Sequence, residues 1–303
     1  MEKILIILLF IIFSSNVYAD SKFEKDLAKV SKNSGFIDNK KKIYYIEKIT
    51  DKKNTVLIIY NHGSTNDQTI DKCTKPWDKV PPVILSLHDQ KIKNFQIKIY
   101  KLCSGVRGWS KSEQDRMWKG HKGNKNTFLE LTNQEGLPLI QTQKQFRKQK
   151  VIKEKINNLI DQGFENIVLA GQSAGSWASI TLKSQFPEKI DGVIAFNPAF
   201  AGKLHVRKKW PYWEAIRSYG ISLMNLTNLK NTMVYAHSKD SYETPKTLSF
   251  LSDLSTVTFI DISGLDCKGK AMLGKAHGIA LTKCFAEHET KDKNIIKFIE
   301  EIF

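Results

Sequence analysis

The sequence lacks several features that would place the protein in a specialised class. After its first 13 residues it has no apolar run long enough to cross a membrane. It shows no internal repeat, no sign of disorder and no Cys-x-x-Cys pair, so zinc ligation is poorly supported and no metal is expected. The whole chain has 303 residues and 41% hydrophobic content, which is typical of one sizeable globular domain, with or without an inserted cap.

The first 19 residues predict a secretory signal peptide. A charged start precedes an unbroken apolar run from Ile4 to Phe13, and Ala19 supplies the small residue before a cleavage point. We therefore expect a mature chain that begins near Asp20 and is soluble outside the cytoplasm, either periplasmic or secreted. An uncleaved membrane anchor is the alternative, although the run is short for a bilayer span.

The cysteine content agrees with export. The chain has four cysteines, an even number, and in an oxidising compartment they should form two disulfides. Three connectivities are possible, and we expect the two pairs that are close in sequence. These are Cys73–Cys103 and Cys267–Cys284. Each would stabilise the fold by about 3 kcal/mol if it is unstrained.

The chain is basic, with 47 lysines and arginines against 31 acidic residues and a net charge of +16. Such a charge could attract nucleic acid or an anionic membrane surface. The lysines are scattered over nearly every segment, however, without the interleaved aromatic residues of a groove that binds single-stranded nucleic acid. We therefore interpret them as a solvated surface and expect no nucleic-acid partner. The sequence leaves the oligomeric state open.

Apolar, β-branched runs alternate with helical patterns along the chain. This alternation predicts an α/β fold, a doubly wound and mostly parallel sheet with helices on both faces. Ligands bind such sheets beyond the carboxyl ends of the strands. The expected strands are 43–46, 55–60, 95–100, 166–170, 192–196, 232–236 and 257–262, and the expected helices are 83–88, 138–161, 176–185, 245–253 and 279–303.

Two long excursions interrupt this alternation, at 104–138 and 201–230. The first is polar and basic, and the second is rich in aromatic residues. Long irregular segments in compact domains are usually functional, so we expect inserted loops or a small cap over the carboxyl ends of the strands. The aromatic residues of 201–230 are equally consistent with an ordinary core. Residues 20–303 are thus expected to form a single domain.

The residues Gly171-Gln-Ser173-Ala-Gly175 carry the strongest chemical signal. An apolar run precedes them and a helix-forming run follows, which is the strand, sharp turn and helix that exposes a serine hydroxyl above a sheet. Gly171 and Gly175 are required because a Cβ at either position would meet a neighbouring element. Ser173 could instead be an ordinary helix N-cap, and the pentapeptide needs the rest of the chain as its context.

A serine nucleophile needs a base and an acid that orients the base. His277 lies in a loop after the last predicted strand, and Asp240 follows the strand before it. Both come after Ser173 in the chain. The other candidate bases are His237 and His288, and the other candidate acids are Glu243, Asp261 and Asp266.

Together these features resemble the α/β-hydrolases, and in particular the secreted serine esterases and dienelactone hydrolase-like proteins. The resemblance covers about residues 40–303 and includes the loop His62-Gly63 after a predicted strand. It implies that Ser173 attacks a carbonyl carbon, that His277 transfers the proton and that Asp240 orients His277. It also implies an oxyanion hole formed by the backbone N–H groups of Ser64 and Ala174.

The loop His-Gly-Ser-Thr departs from the His-Gly-Gly-Gly form of some esterases, so the resemblance implies the second donor, Ser64, less firmly than it implies the triad. His62 is expected to shape this loop rather than to transfer protons. The resulting hypothesis is an exported serine hydrolase that cleaves a carboxylic ester or similar acyl bond, with water as the second substrate and no cofactor. A serine peptidase and a non-catalytic binding protein on the same scaffold are the alternatives.

Overall fold

The structure, a computed structural model, describes much of the expected mature chain. The described residues are 34–37, 43–44, 49–64, 79–104, 112, 143–210, 212–265, 267 and 276–303. The predicted signal peptide, Cys73, Asp266 and nearly all of the excursion at 104–138 lie outside them. Among the described residues, no helix is both long and apolar enough to cross a membrane.

One mostly parallel sheet forms the centre of the described chain, which confirms the predicted fold class. Its strand order is β2-β1-β5-β3-β6-β7-β8-β9, with β4 paired to β5. All pairings from β5 to β9 along this order are parallel, and β1, β2 and β4 pair antiparallel at one side. The strands are β1 Gly35–Ile37, β2 Ile43–Tyr44, β3 Thr55–Asn61, β4 Lys91–Ile92, β5 Phe95–Leu102, β6 Asn166–Gln172, β7 Gly192–Phe196, β8 Thr232–Ala236 and β9 Val257–Asp261.

The central strands are continuous apolar runs because both of their faces are covered. Every residue of β3, β7 and β8 is buried. Successive side chains of a strand point to opposite faces, and β3 divides accordingly: Leu57 and Ile59 enter one core, whereas Val56, Ile58 and Tyr60 enter the other. The sheet therefore separates two hydrophobic cores.

Helices cover both of these cores. The bounds are α1 Pro82–Leu85, α2 Lys144–Asp161, α3 Ala174–Gln185, α4 Leu204–Lys209, α5 Tyr212–Ser222, α6 Ser249–Ser252, α7 Lys283–Asp292 and α8 Asn294–Ile302. Short 3-10 helices occupy Leu226–Asn228, Pro245–Leu248 and Ala276–Leu281. Apolar residues of α2, α3 and α5 pack in the first core, and those of α1, α7 and α8 pack in the second.

The sequence predictions differ from the structure mainly in short elements. Strand β1 has three residues and was not predicted, and the predicted helix at 245–253 is a 3-10 turn followed by one turn of α-helix. The strands at 192–196 and 232–236 have the predicted bounds. The excursion at 201–230 contains α4 and α5, so it is helical rather than an open loop.

Candidate active site

Ser173 lies in the tight turn between β6 and α3. Its backbone has φ 56° and ψ −120°, a conformation that residues other than glycine rarely adopt. A Cβ on Gly171 would lie 2.5 Å from the carbonyl carbon of Gly175, and a Cβ on Gly175 would lie 2.0 Å from the backbone oxygen of Asn61. Both positions therefore require glycine, for the reason that the sequence suggested.

The backbone of Ser173 is fixed on both sides of the turn. Its N–H donates to the carbonyl oxygen of Phe196, which ends β7, at 3.0 Å. Its carbonyl oxygen accepts from the N–H groups of Trp177 at 3.0 Å and Ala199 at 3.1 Å. Neighbouring strand and helix together hold the strained turn, so the hydroxyl has a defined position at the carboxyl end of the sheet.

The structure brings the three predicted residues Ser173, His277 and Asp240 together. The Nε2 atom of His277 lies 2.8 Å from Ser173 Oγ, and its Nδ1 atom lies 2.7 Å from Asp240 Oδ2. With the ring proton on Nδ1, His277 donates to the carboxylate and Nε2 accepts from the serine hydroxyl. The Asp240 side chain is fully buried, so its charge faces the imidazole rather than water.

Asp240 is held by two further hydrogen bonds. Asn197 donates from Nδ2 to Asp240 Oδ2 at 3.1 Å, and the backbone N–H of Tyr242 donates to Oδ1 at 2.8 Å. Both bonds fix the orientation of the carboxylate toward His277. The sequence did not single out Asn197 or Tyr242 for this purpose. The only sequence feature that could have indicated Asn197 is its position directly after β7.

His277 is positioned by its backbone and by its ring. Gln172 donates from Nε2 to the carbonyl oxygen of His277 at 2.9 Å. The Tyr242 ring packs against the imidazole, with 4.2 Å between ring centroids and 32° between the planes. Burial and the charge of Asp240 raise the pKa of Tyr242, so its phenol stays neutral beside the imidazole.

A disulfide encloses the segment that carries His277. Cys267 is bonded to Cys284, as the sequence predicted, and His277 lies between them in the chain. Cys103 is also disulfide-bonded, and its expected partner, Cys73, lies outside the described residues. Of the expected pairs, one is thus confirmed in full.

The loop after β3 passes directly against the turn at Ser173. A Cβ on Gly63 would lie 2.5 Å from Gln172 Oε1 and 3.4 Å from the Cβ of Ser173. The next N–H is that of Ser64, and Ala174 is the first residue of α3, where backbone N–H groups have no helical acceptor. Within the described residues, neither N–H has a hydrogen-bond acceptor, and both residues line the same cleft as Ser173.

Both ring nitrogens of His62 take part in hydrogen bonds that shape this loop. Nε2 accepts from the backbone N–H of Ser104 at 3.0 Å, and Nδ1 lies 2.6 Å from the carbonyl oxygen of Gly63. The ring is fully buried. His62 thus orders the loop, as expected, instead of facing a substrate.

The other candidate acids and bases have different neighbours. His237 Nδ1 accepts from the N–H of Lys239 at 3.0 Å, and burial lowers the pKa of His237. His288 lies in the middle of α7. Asp261 accepts from the N–H of Ser263 at 2.9 Å. Glu243 is buried and forms ion pairs with two arginines, Arg207 and Arg217, and Asp266 lies outside the described residues.

A cleft of about 680 Å³ opens at Ser173 and His277. The excursion at 201–230 forms much of its wall, which agrees with a cap that covers the carboxyl ends of the strands. Its apolar lining consists mainly of Phe200, Val206, Trp213 and Leu281. No group of three metal-ligating side chains that could hold an ion occurs in the part of the chain that the structure describes.

No protein-family model matches the sequence, and no curated protein matches it significantly. Solved structures that are similar to this one include the acetyl ester-xyloside bifunctional hydrolase from Caldicellulosiruptor lactoaceticus. It has 12% identity and a TM-score of 0.42, and the match covers 82% of this chain and 86% of that one. Est1E from Butyrivibrio proteoclasticus has 10% identity and a TM-score of 0.42 over 84% of this chain and 91% of that one.

Oligopeptidase B from Trypanosoma brucei has 14% identity and a TM-score of 0.42, over 86% of this chain and 37% of that one. The sheet itself decides the fold, because a mostly parallel, doubly wound sheet here carries a Gly-x-Ser-x-Gly turn between a central strand and its helix. The chain has the α/β-hydrolase fold. In α/β-hydrolases the nucleophile, acid and base follow one another in that order along the sequence. Ser173, Asp240 and His277 have this order.

Proposed function

We propose that the protein is an exported serine hydrolase that cleaves a carboxylic ester or a similar acyl bond through an acyl-enzyme. The observation that carries the proposal is the position of His277, whose two ring nitrogens lie 2.8 Å from Ser173 Oγ and 2.7 Å from Asp240 Oδ2. These distances are those of a nucleophile hydrogen-bonded to its base and a base hydrogen-bonded to its orienting acid.

In the first half of the reaction, Ser173 Oγ forms a bond to the carbonyl carbon while its proton moves to Nε2 of His277. The Nδ1–H bond to Asp240 stabilises the imidazolium that results, and the buried carboxylate stays ionised. The oxyanion of the tetrahedral intermediate accepts from the backbone N–H groups of Ala174 and Ser64. Each such donor lowers the barrier by about 3 kcal/mol.

The imidazolium then gives its proton to the leaving alcohol as the bond between carbon and the alcohol oxygen breaks, which completes the acyl-enzyme. In the second half, water attacks the acyl-enzyme, His277 takes one of its protons, and the acid product leaves as Ser173 regains its hydroxyl. Every proton is carried by His277, so no cofactor is required.

Export is part of the proposal. It is supported by the apolar run in the first 19 residues, which has the pattern of a cleaved signal. The disulfide between Cys267 and Cys284 also favours an oxidising compartment. Recovery of the chain from a cell-envelope or culture fraction with Asp20 at its amino terminus would test this part.

A fluorophosphonate probe tests the catalytic part, because it reacts only with an activated serine. We expect labelling of the mature protein at Ser173, identified by peptide mass mapping, together with hydrolysis of 4-nitrophenyl esters. Ser173→Ala should abolish the label and lower kcat by at least about 10⁴-fold. Ser252→Ala, a change at an exposed serine far from the turn in sequence, is the control that should keep both.

An unlabelled wild-type protein, or equal labelling of Ser173→Ala, would refute the serine mechanism. The bond cleaved is tested by comparing 4-nitrophenyl esters with aminoacyl and peptidyl 4-nitroanilides. Higher kcat/KM on the anilides would assign the protein to the peptidases instead. If a correctly folded wild-type protein cleaved neither, the binding-protein alternative would replace the proposal.

A further inference from the structure

The described lining of the cleft at Ser173 is basic. Besides His277 and the neutral Tyr242, three ionisable side chains line the cleft, and all three are basic. They are Lys144, Lys203 and His205. No aspartate or glutamate occurs among the described residues that line it. A cleft with charges of one sign concentrates ligands of the opposite sign.

Lys144 has no partner for its charge in the described chain. It is the first residue of α2 and is only partly exposed, and burial lowers the pKa of its ammonium group. Neither an ion pair nor a hydrogen bond to its ammonium group occurs within the described residues. Lys148, one turn further along α2, differs because its Nζ donates to Ser104 Oγ at 2.5 Å. Desolvating a charge without a partner costs free energy, so such a group favours an anionic ligand.

Lys203 is an exposed residue of the same lining and lies directly before α4. Its Nζ is 5.9 Å from the centroid of the Tyr242 ring, and that ring packs on the imidazole of His277. Glu214 and Glu243 form ion pairs with Arg207 and Arg217, and no ion pair to Lys203 occurs among the described residues. The charge of Lys203 is thus without an ion-pair partner in the described chain.

We propose that the substrate is an ester that carries a second, negatively charged oxygen group, such as a carboxylate, and that Lys144 and Lys203 bind this group in the cleft. This inference rests on the proposed function. The anionic group takes no part in bond making: the ester C–O bond breaks, the proton of Ser173 reaches the leaving alcohol through His277, and water supplies the hydroxyl of the acid product. The lysines determine which ester binds.

Two matched substrate pairs test the proposal. In the first pair the charge is on the acyl group, with 4-nitrophenyl hydrogen glutarate compared with its neutral carboxamide. In the second it is on the leaving alcohol, with 7-acetoxycoumarin-3-carboxylate compared with the 3-carboxamide. We expect kcat/KM to be at least about tenfold higher for the carboxylate in one pair, the size of a charge-assisted hydrogen bond. The ratio should fall toward 1 in 1 M NaCl because salt screens the attraction.

Variants assign the preference to the lysines. Lys144→Met and Lys203→Met should each lower the carboxylate-to-carboxamide ratio several-fold, and the double variant should abolish it. Lys150→Met, an exposed lysine of the same helix outside this cleft, should keep the wild-type ratio. Each ratio is measured on one preparation, so partial loss of folded protein cancels.

The outcomes separate this inference from the proposed function. If Ser173 is labelled and the carboxamide esters are cleaved but neither carboxylate is preferred, the charge inference is wrong and the hydrolase proposal stands. A preference that survives in the double variant also overturns it, because other groups would then bind the anion. If Ser173 is unlabelled and no ester is cleaved, both fail together.

Discussion

The two halves of the candidate active site are held in different ways. Ser173 is fixed by backbone: its own N–H and carbonyl groups bond to Phe196, Trp177 and Ala199, and two glycines allow strand and helix to approach. Asp240 and His277 are held mostly through side chains, by the amides of Asn197 and Gln172 and by the Tyr242 ring, with one backbone N–H bond from Tyr242 to Asp240. Backbone contacts leave almost no freedom for substitution, whereas side-chain contacts can be weakened one at a time.

The acid side also depends on a buried charge network. The Glu243 side chain is fully buried, and its two oxygens bind both Arg207 of α4 and Arg217 of α5. Arg217 also donates to the carbonyl oxygen of Thr247 at 2.6 Å. Glu243 follows Tyr242 directly, so the network joins the helices of the 201–230 segment to the loop that carries Asp240. The wall of the cleft and the acid are thus parts of one packed unit.

The largest effect is expected on the nucleophile side, from Gly175→Ala. The added Cβ would lie 2.0 Å from the backbone oxygen of Asn61 and 2.6 Å from that of His62, and backbone atoms cannot move aside as a side chain can. We expect the free energy of unfolding, measured in urea, to fall by more than about 4 kcal/mol, or the protein not to fold.

The matched control for this variant is Gly264→Ala. A Cβ on Gly264 would meet nothing within 4 Å, and its backbone has no positive φ. Its free energy of unfolding should change by less than about 0.5 kcal/mol. Equal stability of Gly175→Ala and Gly264→Ala would show that backbone packing does not fix Ser173. The proposed difference between the serine side and the acid side of the site would then be wrong.

An intermediate effect is expected on the acid side, from Glu243→Gln. The change leaves Arg207 and Arg217 in the fold without their buried counterion, which should lower the free energy of unfolding by about 3 kcal/mol. The exposed member of the same network supplies the control. Glu214, with a side chain 44% exposed, contacts the same two arginines. Glu214→Gln should cost less than about 1 kcal/mol, because water screens its charges.

Urea unfolding of both variants, with kcat measured on the folded fraction, sharpens the comparison. We expect Glu243→Gln to lower kcat as well, because the loop that orients Asp240 loosens, whereas Glu214→Gln should leave that loop in place. Equal losses of stability in the two variants would show that burial of Glu243 does not hold the acid side.

The same difference explains what the sequence could predict. The turn at Ser173 is a local feature, encoded by an apolar strand, two glycines and a helix that are adjacent in the chain, and the parallel sheet follows from the alternation of such runs. The partners of Asp240 are not local. Asn197 is 43 residues from it, and its hydrogen bond exists only because β7 and β8 are neighbours in the sheet.

The network around Glu243 was invisible for a further reason. Glu243 could be considered only as an alternative acid, since nothing in the sequence shows that it is buried between two arginines from helices earlier in the chain. Strand β1 was missed because three residues are too few to show a period. The sequence therefore predicts the architecture and the turn at Ser173 well, and the supporting contacts poorly.

The smallest effect concerns the strain at Ser173 itself. A residue with a Cβ is strained at φ 56°, whereas glycine adopts positive φ values readily. Ser173→Gly and Ser173→Ala both remove the hydroxyl and its contact with His277, so the difference between them isolates the backbone. Urea titrations of the two inactive proteins measure this difference. We expect the free energy of unfolding of the glycine variant to be higher by about 1 kcal/mol. An alanine variant that equals or exceeds the glycine variant would mean that the turn is not strained, and that ordinary packing holds Ser173 in it. The expected sign would instead show that the fold maintains an unfavourable backbone conformation at the one residue whose hydroxyl is proposed to react.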